Sequence, residues 1–337
     1  MIMLGAIAQS LAFGPADADA IFAAFNKAFY HPHGGRGFYA ETTAGGKSSF
    51  WMRAEQMEMV LDAYERTTNA DYLAKFHSLF DGFIAERGAT WEQNEFNDDI
   101  MWMVIACARA QQLSGNPAYL KAAKTNFDMC YGRAWSADLG GGLWWKTSKL
   151  SKNACVNGPG AIAAYLLYQD CGEAGYLAKA RDLYQWERAT LYNPATGAVH
   201  DNLNLRGRVE GKLFTYNQGT FIGAANFLGY TNDAQRAADF TKRVLCHGGL
   251  MPSYGQDGDG GGFNGICARW LAKYMKDRGA QAAYLKWLQA NAQAAWQAAR
   301  PADGLSWSRW SEPTPAGQLN SWACSSSVVI LQVVPPN

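Results

Sequence analysis

Apolar residues recur every three or four positions along most of the chain, with Asn, Asp, Ser or Pro at the head of each run and Gly or Pro at its tail. That is the pattern of helices that bury at least one face. It predicts twelve of them, over residues 17–30, 51–67, 71–87, 99–114, 117–133, 157–171, 174–190, 218–230, 233–248, 263–278, 280–299 and 320–335. The connections alternate in length. Short ones such as TTNAD (67–71), SGNP (114–117), CGEAG (171–175), YTND (230–233) and RGAQ (278–281) are followed by long ones rich in Gly and aromatic residues. A faint repeat marks the helix after several short turns: DYLAKF (71–76), AYLKAA (118–123), GYLAKA (175–180) and AYLKWL (283–288). Six helical hairpins repeating about every 50 residues imply a solenoid or a closed ring. Alternating loop lengths favour the ring, because all the long loops then gather at one end around one cavity. The expected fold is all-α, an (α/α)6 barrel, with no linker-like tract to divide residues 1–337 into more than one domain.

Composition narrows the ligand. The 30 basic and 29 acidic residues are interspersed and leave a net charge of +1, so nothing resembles the basic footprint of a nucleic-acid binder. Aromatic residues make up 13% of the chain, with 13 tryptophans, many in Gly-rich segments where packing alone does not require them. Flat hydroxyl-bearing ligands suit such surfaces. The seven cysteines, at 107, 130, 155, 171, 246, 267 and 324, are scattered and never in a CxxC pair, which fits mostly free, buried thiols. The start, MIMLGAIAQSLAFGPADADA, has a short apolar run but no basic segment before it, so it is at best a degenerate signal peptide. No run of about 20 apolar residues predicts a membrane span.

The sharpest candidate chemistry lies in WEQNEFNDDIMWMVIACARA (91–110), where Asn97, Asp98 and Asp99 precede an apolar helix. One aspartate there is explained as a cap or first-turn acid. Two are better explained as a working pair, since retaining glycosidases hold two carboxyls about 5–5.5 Å apart, one as nucleophile and one as acid and then base. Spacing alone leaves both readings open. A DDxxD metal site fails because Trp102 stands where its third acid belongs, and AGGKSS (44–49) lacks the first glycine and preceding strand of a phosphate-binding loop. HPH (31–33) reads as surface histidines, so no metal or cofactor is expected. GGGLWWK (140–146) offers Trp144 and Trp145, one as a sugar platform and one for the core; FTYNQG (214–219) offers Asn217 and Gln218 as caps or hydroxyl ligands; GQDGDGGGFNG (255–265) presents Asp257 or Asp259 to a cavity.

Taken in order, NDDIMWMVIA, GGGLWW, KNACVNGPGAIAAYLLY, TYNQGTFIGA and DGGGFNGICARWL resemble glycoside hydrolase family 76, the endo-α-1,6-mannanases and their fungal cell-wall relatives. The resemblance covers much of residues 90–275. It implies an (α/α)6 barrel and a retaining mechanism on α-1,6-mannosidic linkages, with Asp98 as nucleophile and Asp99 as acid/base. It also implies a substrate-binding set of Asn97, Trp144, Trp145, Asn157, Tyr216, Asn217, Gln218, Asp259, Phe263 and Asn264. Asn97 and Asn264 depart from the tyrosine and lysine usual at those places in the family. A cell-wall transglycosidase and an inactive mannan-binding relative are the alternatives. The expected partner is an α-mannan or oligomannoside met by a monomer, and that substrate class suits a secreted or periplasmic protein.

Overall fold

The computed structural model describes residues 12–336, so most of the apolar start discussed above lies outside the described residues. All twelve expected helices are present among them: α1 (Pro15–Phe29), α2 (Phe50–Thr67), α3 (Ala70–Arg87), α4 (Asn97–Ser114), α5 (Pro117–Ala134), α6 (Ala154–Cys171), α7 (Ala174–Thr190), α8 (Thr215–Leu228), α9 (Thr231–Phe240), α10 (Phe263–Arg278), α11 (Gln281–Gln297) and α12 (Ser321–Val333). The ninth is shorter than its periodicity implies, because α9 gives way to a wider π-helical turn at Thr241–Leu245.

The even-numbered helices form a closed inner ring, each packing on the next from α2 through α12 and α12 returning to α2. The odd-numbered helices pack outside it. Burial follows this division. Outer α3 hides one stripe, Phe76, Leu79, Phe80 and Phe83, at the spacing of a one-sided helix. Inner α4 is buried on every side from Ile100 to Ala110, so its sequence lacks a polar face.

Every long connection runs from an outer helix to the inner helix that follows, so all six reach the same end of the barrel, where the inner helices begin. These connections are not the plain loops the sequence reading expected. They hold five short strands: β1 (Tyr30–His33) pairs with β2 (Arg36–Tyr39), while β3 (Ser151–Asn153), β4 (His200–Asn204) and β5 (Val209–Leu213) form an antiparallel sheet. Three to five residues rich in Asn, Gly and charge give too little alternation to announce a strand.

The barrel interior is crossed by ions the hydropathy pattern hides. Arg109 on α4 pairs with Glu58 and Asp62 of α2, both at 2.8 Å, and Arg269 on α10 pairs with Glu55 at 2.6 Å and with Asp62 at 2.8 Å. Glu55 is pushed up to about 8 by burial and by the charge of Glu58, against the pull of Arg269. A cavity of about 730 Å³ opens beside this network at the short-loop end. All seven cysteines are free, five of them buried.

Candidate active site

At the long-loop end lies a cleft of about 720 Å³ ringed by the first turns of the inner helices. The N-terminal ends of helices carry partial positive charge, so their convergence favours anions in the cleft. Asp98 and Asp99 line it together. Both lie inside α4, whose N-cap is Phe96, so they stand about 100° apart around the axis. They share the cleft because it sits over the end of the helix. Asn97 does not cap that helix.

The two carboxyls have different surroundings. Asp98 Oδ1 is buried with no hydrogen-bond partner. Burial raises the Asp98 carboxyl well above the usual range, and the charge of Asp99 adds to this, while the Cys155 thiol and the Trp145 indole oppose it. Asp99 Oδ2 accepts a hydrogen bond from Asn94 Nδ2 at 2.8 Å. Burial lifts Asp99 to about 6; the Asn94 amide pulls it down and the charge of Asp259 pushes it up. The pair therefore binds a proton more tightly than two separate carboxyls do, which is the property acid/base work near neutral pH requires.

The rest of the cleft is aromatic on one side and polar on the other. Tyr216 and Phe263 stack with ring centres 3.9 Å apart, and Tyr254 meets Phe263 edge-on at 5.3 Å. Trp51, at the start of α2, lines the cleft and donates from its indole to Asp259 Oδ1 at 3.3 Å. On the polar side β3 and β4 supply Ser151, Asn153, Asp201 and Asn202, and β5 supplies Lys212. The pairing of β4 with β5 slips by one residue between His200 and Asn202. A bulge of this kind re-aims a side chain, and it accounts for Asp201 and its neighbour Asn202 both facing the cleft. Asn217 Nδ2 holds Asp201 Oδ1 at 3.1 Å from behind.

Of the residues the sequence brought forward, Asp98, Asp99, Trp145, Tyr216, Asp257, Asp259 and Phe263 line the cleft. The others do not. Trp144 is buried in the core with its indole on Ser136 Oγ at 3.0 Å, and Trp145 is the member of that pair facing the cleft. Asn97, Asn157, Gln218 and Asn264 are buried amides that tie loop backbone to the helices. Asn97 Nδ2 donates to the Trp144 carbonyl at 2.8 Å and its Oδ1 accepts from Arg133 Nε at 2.7 Å. Asn157 Oδ1 accepts from Leu143 N at 2.7 Å, while its Nδ2 donates to the carbonyls of Leu143 and Asn153. Gln218 joins Val199 N and the Gly197 carbonyl, and Asn264 Nδ2 reaches the Pro252 carbonyl at 2.9 Å. Long loops that pass over a core carry backbone groups away from water, and these must find partners. Gly142 shows the same crowding: it has φ +79°, and a Cβ there would stand 2.5 Å from the Trp186 ring.

The residues sequence reasoning missed include Asn94, which holds Asp99, and the cleft-lining Trp51, Cys155, Asp201, Asn202, Lys212 and Tyr254. Asn94 carried a signal: Phe96 N bonds its Oδ1 at 3.0 Å in a local Asx turn, the habit of an Asn two residues before an extended backbone. Asp201 had no signal, since only the bulge brings it in.

The chain matches the model of glycosyl hydrolase family 76 over residues 15–333. Among solved structures, the GH76A α-1,6-mannanase of Salegentibacter sp. HEL1_6 is 30% identical with a TM-score of 0.87, covering 94% of this chain and 98% of that one. An inactive variant of the same enzyme, with two adjacent aspartates changed to asparagine and α-1,6-mannotriose bound, matches at 29% identity, a TM-score of 0.87 and the same coverage. Dfg5 from Chaetomium thermophilum, in complex with glucosamine, shares the fold at 15% identity and a TM-score of 0.80, covering 95% of this chain and 90% of that one. No curated protein matches the sequence. With the family match spanning nearly all of the described residues, the chain belongs to glycosyl hydrolase family 76.

Proposed function

We propose that this protein cleaves α-1,6-mannosidic linkages with net retention, using Asp98 as nucleophile and Asp99 as acid and then base. The observation that carries the reading is the adjacent carboxyl pair in one cleft, each with a raised proton affinity, facing an aromatic wall. Two features of the relative support it: it is described as an α-1,6-mannanase, and its variant lacking two adjacent aspartates is inactive.

In the first step Asp98 attacks the anomeric carbon, the bond to the leaving oxygen breaks, and Asp99 gives its proton to that oxygen. A glycosyl ester on Asp98 results. In the second step Asp99, now ionised, takes a proton from water as the water attacks the anomeric carbon, and Asp98 leaves as carboxylate. The reading needs the pair to hold one proton, carried by Asp99 when substrate is bound. Asp98 lines the cleft, and a sugar hydroxyl that donates to its carboxylate there stabilises the Asp98 anion and shifts the proton to its neighbour. Tyr216 and Phe263 supply the stacking face, and Asp201, Asn202 and Lys212 are placed to meet hydroxyls on the other side.

The test is a panel of linkage-defined mannosides. The wild type should cleave the α-1,6 member in preference to α-1,2 and α-1,3 members, and Asp98→Asn and Asp99→Asn should each lose activity by at least about a hundredfold. Near-normal turnover by either variant would sink the assignment.

A further inference from the structure

Among the described residues five large apolar side chains are exposed, and three of them, Leu150 at 62%, Leu205 at 54% and Val209 at 42%, sit at one end of the β3–β4–β5 sheet. Ser151 pairs with Asn204, so Leu150 and Leu205 lie just past neighbouring ends of β3 and β4; Leu203 pairs with Val209. Alternation along the strands puts Val209 on the face of Lys152 and Leu203, and Leu150 and Leu205, the first residues beyond the ends of β3 and β4, extend the exposed tip next to it. The other face carries Ser151, Asn153, Asn202 and Lys212, which line the cleft. The sheet is thus a flap with a polar side toward the cleft and an apolar tip turned away from it.

The tip is also basic. Lys149, Arg206 and Arg208 are exposed around the leucines, and among the described residues none of the three is in an ion pair. The one acid in the β4–β5 hairpin beyond Asp201, Glu210, lies on the cleft-side face, where Asn204 Nδ2 contacts it at 3.4 Å. Apolar side chains ringed by unpaired cations suit a surface that is greasy and negative at once. We propose that this tip docks on an anionic lipid surface, with Leu150, Leu205 and Val209 entering the acyl boundary and Lys149, Arg206 and Arg208 meeting the headgroups. A polyanion in solution would use the cations and leave the leucines without a role. No helix in the described residues is long and apolar enough to cross a membrane. The docking is independent of the reaction assigned to the cleft, though it would hold the cleft mouth beside the lipid surface.

The test is sedimentation of the full chain with vesicles of phosphatidylcholine alone or mixed with phosphatidylglycerol. The wild type should bind the mixed vesicles and release as salt is raised, and should bind pure phosphatidylcholine far more weakly. Arg206→Gln with Arg208→Gln should lower partitioning by about thirtyfold, at roughly 1 kcal/mol per basic residue. Leu150→Ser with Leu205→Ser should lower it about tenfold or more while thermal unfolding stays at the wild-type temperature. No binding of the wild type to mixed vesicles overturns the proposal, as does equal binding to both vesicle types. Loss with the arginine pair but not the leucine pair makes it a plain polyanion site, which also overturns it. So does concentration-dependent self-association of the wild type that Leu205→Asp abolishes, since the tip then meets a second copy.

Discussion

Asn94 Nδ2 donates to Asp99 Oδ2 at 2.8 Å, from a turn five residues upstream that is itself held by Arg133, whose guanidinium reaches the carbonyls of Glu92 and Asn94. Asn94 is therefore a positioning residue for one carboxyl of the pair. The hydrogen bond favours the ionised form of Asp99, whereas the charge of Asp259 disfavours it. Asn94→Ala should move the Asp99 titration upward from about 6, and Asp259→Asn should move it downward. Carboxyl carbon NMR across the pH range reads both shifts directly. With Asp99 as the acid, the alkaline limb of kcat/KM moves with them, as a property of the coupled pair.

Asp98 carries a stability consequence opposite to the catalytic role proposed for it. Its carboxyl titrates well above 3.8 in the folded protein, so folding opposes its ionisation. Stability is lost as pH rises from the unfolded value toward the folded one. Asp98→Asn removes that loss, so the variant should melt higher than the wild type at pH 7 and show no such gain at pH 3. Calorimetry at the two pH values decides it, and equal melting at pH 7 contradicts the raised proton affinity.

Asn157 makes three hydrogen bonds to the backbone of the long loop and of β3, at 2.7, 3.2 and 2.9 Å. Replacing it with Ala leaves buried N–H and C=O groups unsatisfied. At about 1–3 kcal/mol for each orphaned group, the N–H and C=O of Leu143 alone make Asn157→Ala destabilise the fold by roughly 2–6 kcal/mol, measured by urea unfolding. Were Asn157 a sugar ligand instead, Asn157→Ala would change KM with stability intact.

Glu187 on α7 is fully buried with neither carboxyl oxygen paired, and a Cβ placed on Gly158 of α6 would stand 3.2 Å from its Oε2. Burial raises its carboxyl well above 4.5. A raised acid stays neutral in the fold and destabilises it once pH exceeds the unfolded value. The melting temperature of Glu187→Gln should therefore pull above that of the wild type as pH rises from about 4.5, by up to roughly 1.4 kcal/mol of stability per pH unit. A constant gap across pH 4 to 8 contradicts the assignment.

The architecture was legible because helix periodicity and loop length act locally: the inner and outer rings follow from α3-like one-sided stripes and α4-like uniformly apolar runs. The carboxyl pair was legible because it sits at a helix start, where two acids are one more than capping needs. Other features depend on groups distant in sequence. Asn97, Asn157, Gln218 and Asn264 look like sugar ligands in sequence, since an amide that serves a hydroxyl and one that serves a loop carbonyl have the same letters. Trp144 and Trp145 are adjacent, and only the Ser136 contact shows which one faces inward. Asp201 enters through a bulge, and the Arg109 and Arg269 network places charges on a buried face that a hydropathy pattern assigns to solvent.

The most direct measurement is proton NMR of an α-1,6-mannotetraose digest, followed from the first turnovers before the product anomers equilibrate. The assignment of Asp98 as nucleophile and Asp99 as acid/base predicts that the new reducing end appears first as the α-anomer. A first product in the β configuration, or no cleavage of the α-1,6 linkage at all, contradicts it.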